Sequence, residues 1–143
     1  MAIQSNHVFI NLPVKDLDRS MQFFGDIGFE FNEQMTDKKA ACMIVGRNIY
    51  VMLLVEEFFK SFTGKALCDS DASTEVIVSI TADSRAGVDE IVQNALAAGG
   101  SASNDKMDNE FMYGWSFEDI DGHLWEVMYM PENDDDGDEE FYG

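Results

Sequence analysis

Phe9 to Phe31 reads FINLPVKDLDRSMQFFGDIGFEF, and a change of period inside this stretch decides the fold. Up to Val14 the apolar residues Val8, Ile10, Leu12 and Val14 alternate with His7, Phe9, Asn11 and Lys15, the period of two of a strand with one face against a helix. Asp16 then has the character of a helix N-cap, and Leu17, Met21 and Phe24 fall on one helical face before Gly28 breaks the helix. Three strands are expected next, at Phe29 to Met35, Ala40 to Val45 and Ile49 to Val55, with a turn at Gly46-Arg47-Asn48 between the last two. The result is a βαβββ module.

Alternation is lost from Glu56 to Ser73 and then restarts. Val76, Val78 and Ile80 alternate, Ser84 is placed to cap a helix carrying Val88, Ile91, Val92 and Ala95 on one face, and Gly99-Gly100 ends it. A weak strand near Ser101, another around Met112 to Glu118, a hairpin signal at Asp121-Gly122 and a last strand at Leu124 to Met130 complete a second βαβββ module. The chain reads as a degenerate duplication with a repeat of about 70 residues. The expected class is α+β, one domain over 1–130 built of modules at about 1–63 and 74–130.

Composition narrows the partners. A formal charge of −19 repels nucleic-acid phosphates and anionic membrane surfaces alike, leaving small neutral or cationic molecules or other proteins. Apolar residues make up 45% of the chain, yet no run approaches the roughly 18 residues of a membrane span. The N-terminus lacks the pattern of a secretory signal, so a cytoplasmic location is expected. The cysteines, Cys42 and Cys68, do not form a CxxC pair and read as two reduced thiols. The end, PENDDDGDEEFYG over 131–143, holds seven acids and no base and is expected to be a solvated, disordered tail.

Three segments carry a family likeness: Phe9 to Phe31, LAAGG (Leu96 to Gly100) and FEDIDGHLWEVMYM (Phe117 to Met130). In their order and spacing they resemble the glyoxalase/bleomycin-resistance/extradiol-dioxygenase group, the vicinal oxygen chelate superfamily, and within it the bacterial predicted lactoylglutathione lyases. The resemblance implies two modules bent into a barrel-like cleft, small-molecule binding in that cleft, and a homodimer. On the alternation alone, Phe9 and Asn11 face away from the helix side.

Metal-dependent members hold a divalent ion through four slots on the opening and closing strands, and the resemblance puts these at Phe9, Ile77, Val51 and Glu126. Only Glu126 is a metal donor, so no metal or other cofactor is expected. The alternative is a divalent ion held by Glu126 with His7 and Glu75, two residues before the expected slots, if a bulge shifts the register.

Glu126 has two readings, a strand carboxylate touching solvent or a cleft acid or base, and it is the candidate catalytic residue. Phe9, Asn11, Val51, Ile77, Ser79 and Trp115 are the candidate ligand-binding residues. His123, in the hairpin turn, is expected to be exposed. Phe58, Phe59 and Phe62 suit a short helix packed on the core or a ligand lid. No Ser or Cys carries a nucleophile signature.

Two functions remain: a non-catalytic binder of a small, largely apolar or aromatic compound, or a metal-dependent lyase or dioxygenase. An interaction module working through the acidic tail is a third possibility.

Overall fold

The computed structural model describes residues 2–131, so the tail from residue 132 lies outside the described residues. The chain divides into two units, Met1–Ser73 and Thr74–Gly143. The division falls at the end of the stretch where alternation is lost.

In the first unit, β1 (Val8–Val14) leads through α1 (Leu17–Ile27) to β2 (Glu30–Asn32), β3 (Ala40–Gly46), β4 (Ile49–Val55) and a short α2 (Glu56–Lys60). The sheet order is β1-β4-β3-β2. The β1/β4 pair is parallel, and the other pairs are antiparallel. Helix α1 begins where Asp16 Oδ1 accepts the Arg19 N–H at 3.2 Å, and it ends at Gly28, whose φ of 130° suits glycine.

Leu17, Ser20, Phe23, Phe24 and Ile27 form the buried face of α1. Met21, expected on that face, is half-buried instead. Phe23 and Phe24 meet edge to face at 4.9 Å, and Leu12, Val14, Ala41, Met43, Val51 and Leu53 are buried in the same unit. Burying each large apolar side chain contributes about 1.5–3 kcal/mol, so this layer dominates the unit's stability.

The strand expected over Phe29 to Met35 is cut to Glu30–Asn32. Asn32 Oδ1 accepts the Gln34 N–H at 3.0 Å and starts a 3-10 turn at Glu33–Met35. A side chain that competes for backbone donors has replaced the ladder. Helix α2 leaves Phe58 and Phe59 half-buried, and Phe62, beyond its end, is exposed with its ring 5.0 Å from that of Phe58.

The second unit runs β5 (Ile77–Thr81), α3 (Arg85–Ala97), β6 (Ser101–Ala102), β7 (Met107–Asp108), β8 (Tyr113–Glu118) and β9 (Leu124–Tyr129). The path is β5-β9-β8-β6, with β7 also on β8. Because β6 pairs with one end of β8 and β7 with the other, the two are pieces of a single interrupted strand. The element order is therefore again βαβββ. Val76, expected in the opening strand, lies before β5 and is exposed.

Ser84 caps α3 by accepting the Gly87 N–H at 2.9 Å, and Val88, Val92 and Ala95 are its buried face. Ile91, expected there too, is half-buried. The two sheets and few helices make a mixed α+β fold, and among the described residues neither sheet closes on itself.

The β8–β9 hairpin is organised by Asp119. Its Oδ1 accepts the N–H groups of Asp121 at 2.9 Å and His123 at 3.0 Å, while Oδ2 accepts Trp125 Nε1–H at 3.0 Å. Gly122 takes the positive φ of 88° that closes the loop. Burial pushes the Asp119 carboxyl above the usual carboxylate range, against the opposing pull of His123 and the three N–H donors. His123 is buried rather than exposed as expected, because the loop folds back onto Asp119.

Candidate functional site

Strand alternation sorts the second sheet into two faces. Val78, Trp125, Val127 and Phe117 are buried on the α3 side, with the Phe117 and Trp125 rings stacked at 6.1 Å. Ile77, Ser79, Ser116, Leu124, Glu126 and Met128 lie on the face turned away from α3.

Three of the expected site residues, Ile77, Ser79 and Glu126, thus share one face. Ser79 is the register partner of Glu126 on the parallel neighbour, and its hydroxyl donates to Glu126 Oε1 at 2.9 Å. Ser116 is the partner of Glu126 on the other side, and its Oγ accepts the Asn104 N–H at 2.9 Å. Glu126 is therefore flanked by two hydroxyls, one on each adjacent strand.

Beside it opens a pocket of about 110 Å³, lined by Asn104, Asp105, Met107, Met112, Gly114, Trp115, Ser116, Glu126 and Met128. The gap between β6 and β7 supplies Asn104 and Asp105 to the wall. Gly114 keeps the floor low: a Cβ there would sit 3.5 Å from Met128 Cγ and 3.7 Å from Met112 Cε.

Trp115 borders the same pocket, but it reaches it from a strand position that alternates with those of Ser116 and Glu126. Its register partner is the buried Val127, and Lys106 Nζ lies 4.4 Å from its ring centroid. Alternation puts it on the α3 side. There the Tyr113 hydroxyl donates to Asp89 Oδ1 at 2.5 Å, Lys106 lies 3.6 Å from the same oxygen, and Arg85 pairs with Asp108 at 2.7 Å. The Asp89 hydrogen bond, then burial, pushes the Tyr113 phenol up. These contacts tie the 106–108 segment to α3, so they support the pocket wall.

The first sheet has its own open face. Phe9 and Asn11 are exposed there, and their register partners on β4 are Tyr50 and Met52. The rings of His7, Phe9 and Tyr50 lie nearly parallel, with Phe9 and Tyr50 5.0 Å apart and His7 6.3 Å and 6.1 Å from them. Val51 is not on this face. It pairs with Ile10 and is 0% exposed on the helix side.

The equivalence of Val51 with Glu126 is thus off by one residue. Phe9 and Ile77 stand equally far before their helix caps, so Asn11/Met52 corresponds to Ser79/Glu126, and Val51 corresponds to the buried Trp125. The register shift between Ile44 and Gly46 and the longer 119–123 loop make the two hairpins unequal in length. A slip of one residue exchanges the faces.

His7 and Glu75 both lie just outside their strands and are exposed. Among the described residues, no group of three His, Cys, Asp or Glu gathers in a way that would hold a metal ion. Burial pushes the Cys42 thiol up, which suits a core residue rather than a nucleophile. No helix among the described residues is long and apolar enough to cross a membrane.

Residues 7–46 match the family described as Bleomycin resistance protein-like N-terminal. A search of curated proteins finds no match. Among solved structures, a hypothetical protein from S. aureus is 28% identical, with a TM-score of 0.74 over 90% of this chain and 95% of that one. A glyoxalase-related enzyme from Fulvimarina pelagi is 19% identical, with a TM-score of 0.76 over 90% of each chain. A lactoylglutathione lyase from Agrobacterium tumefaciens is also 19% identical, with a TM-score of 0.66 over 89% of this chain and 95% of that one. The chain carries the fold of the glyoxalase/bleomycin resistance/dioxygenase group, the vicinal oxygen chelate superfamily, and resembles it in sequence over residues 7–46.

Proposed function

We propose that the chain binds a small, largely apolar or aromatic molecule against the open face of its second sheet, without a catalytic metal. The observation that carries this reading is the pocket beside Glu126, lined by three methionines and two carboxylates, of which Glu126 is held in place by Ser79. Thioether side chains adapt their shape to a ligand, while a few fixed polar groups set its orientation.

The donor set argues against the metal-dependent alternative. With the register corrected, the four places that the resemblance reserves for ligands hold Phe9, Met52, Ile77 and Glu126. Two hydrocarbons, a thioether and one carboxylate do not suit a hard divalent ion, so the residues present do not fit the group. A lyase that forms an enediolate also needs a Lewis acid, and Glu126 alone supplies at most the base.

Homodimer formation belongs to the same reading. The strands β1 and β5 are sheet edges, and Val8, Phe9 and Ile77 on them are each 44–49% exposed. Sedimentation at micromolar concentration is expected to give twice the chain mass, and a monomer would contradict it.

The function itself is tested by releasing small molecules from gently purified protein and identifying them by mass spectrometry. One apolar or aromatic compound in stoichiometric amount is expected. A stoichiometric transition metal with no organic compound would favour the lyase or dioxygenase reading.

A further inference from the structure

Resting on the reading that this pocket holds a small molecule, we propose that the ligand presents a protonated amine to Glu126. The sign follows from the lining. The pocket has two carboxylates, Asp105 and Glu126, and no Lys, Arg or His. Lys106, whose Nζ lies 4.4 Å from the ring of the lining Trp115, is paired with Asp89 at 3.6 Å, and Arg85 is paired with Asp108 at 2.7 Å. An anionic ligand would meet the carboxylates of Asp105 and Glu126 at the lining, and the chain's −19 adds long-range repulsion.

The geometry narrows the kind of cation. Ser79 occupies Oε1 of Glu126, which leaves Oε2 to accept from the ligand, and Ser116 Oγ stands in register one strand away. Ser116 Oγ already accepts the Asn104 N–H, but Oε2 is an acceptor in want of an N–H donor, so a primary or secondary ammonium suits it and a quaternary ammonium does not. Glu126 is half-buried and its charge is less screened than that of the exposed Asp105, so it is the counter-ion that decides affinity.

Size assigns the pocket one end of the ligand. Sites for drug-sized molecules usually enclose roughly 300–1,000 Å³, and this pocket encloses about 110 Å³. It therefore takes an ammonium and the first apolar group attached to it, which rests on Met112 and Met128.

Calorimetric titration with three matched probes, phenethylamine, phenethyl alcohol and phenylacetate, tests the proposal. Wild-type protein is compared with Glu126→Gln, which keeps an acceptor for Ser79, and with Gly114→Val, which puts a side chain against Met112 and Met128. The amine is expected to bind wild type about tenfold or more tighter than the alcohol, and phenylacetate weakest. Glu126→Gln should abolish the amine's advantage, and Gly114→Val should abolish binding of both.

Equal binding of amine and alcohol to wild type, or an advantage that persists in Glu126→Gln, would overturn the amine proposal and leave the pocket as a ligand site. Binding unaffected by Gly114→Val, or no binding of any probe, would overturn the pocket reading as well.

Discussion

The Ser79 hydroxyl and Glu126 Oε1 lie 2.9 Å apart across the parallel pair of β5 and β9, on the sheet face turned away from α3. Two strand positions 47 residues apart in the chain thereby fix the direction of one carboxylate. With a hydroxyl donor on Oε1, the other oxygen is the one left to receive a charge-assisted hydrogen bond from a ligand.

Ser79→Ala is expected to weaken binding at the pocket about three- to tenfold, the value of one hydrogen bond to a charged group that is partly exposed. Ser79 is exposed, so folding stability should stay within about 0.5 kcal/mol of wild type. Titration with the co-purifying compound, alongside a urea unfolding curve, separates the two effects.

Asp119→Ala is expected to destabilise the chain by about 2–4 kcal/mol, because the N–H groups of Asp121, His123 and Trp125 lose their common acceptor. The cost should depend on pH. Burial raises the Asp119 carboxyl above its ordinary 3.8, so the folded chain holds that proton more tightly than the unfolded one. The resulting stabilisation is fully present below 3.8 and is lost as pH rises through the folded value. The gap between wild type and variant should therefore widen as pH falls from neutral toward 3.8, which denaturant unfolding at several pH values will show.

Val51→Ala should cost roughly 2–3 kcal/mol, since it opens a cavity in a fully buried layer. Tyr50→Ala should cost under about 1.5 kcal/mol, the value of an aromatic pair with Phe9. Urea unfolding of both variants checks the corrected register. The opposite order would put Val51 back on the open face.

Added nickel, zinc, cobalt or iron is expected to leave thermal stability unchanged. A ligand specific for the folded state, present at a hundred times its Kd, would add about 2.7 kcal/mol. Differential scanning calorimetry distinguishes these, and saturable one-to-one metal binding lost in Glu126→Ala would count against the account.

Much of the architecture is legible in the sequence because local rules and tertiary packing agree there. The alternation ending at Val14, the cap at Asp16 and the break at Gly28 each sit where the chain folds that way, as does the Ser84 cap of α3. The site is less legible because it depends on register between strands far apart in sequence. Counting by twos in both directions from Glu126 places Leu124 and Met128 on its face, whereas Ser116 and Gly114 require knowing how β8 pairs with β9.

Val51 is hidden in the core rather than set on the open face because unequal hairpins conceal a one-residue slip, whereas Trp115 borders the pocket although alternation puts its side chain on the α3 side. His123 shows the same limit on a smaller scale: a turn residue reads as exposed until a buried acceptor such as Asp119 claims its N–H.

The most direct test maps the co-purifying compound onto the chain by amide chemical-shift changes in nuclear magnetic resonance. The account predicts that the largest changes fall at Asn104, Gly114, Ser116, Glu126 and Met128 and that they vanish in Gly114→Val. Changes confined to α3, or to the first unit alone, would contradict it.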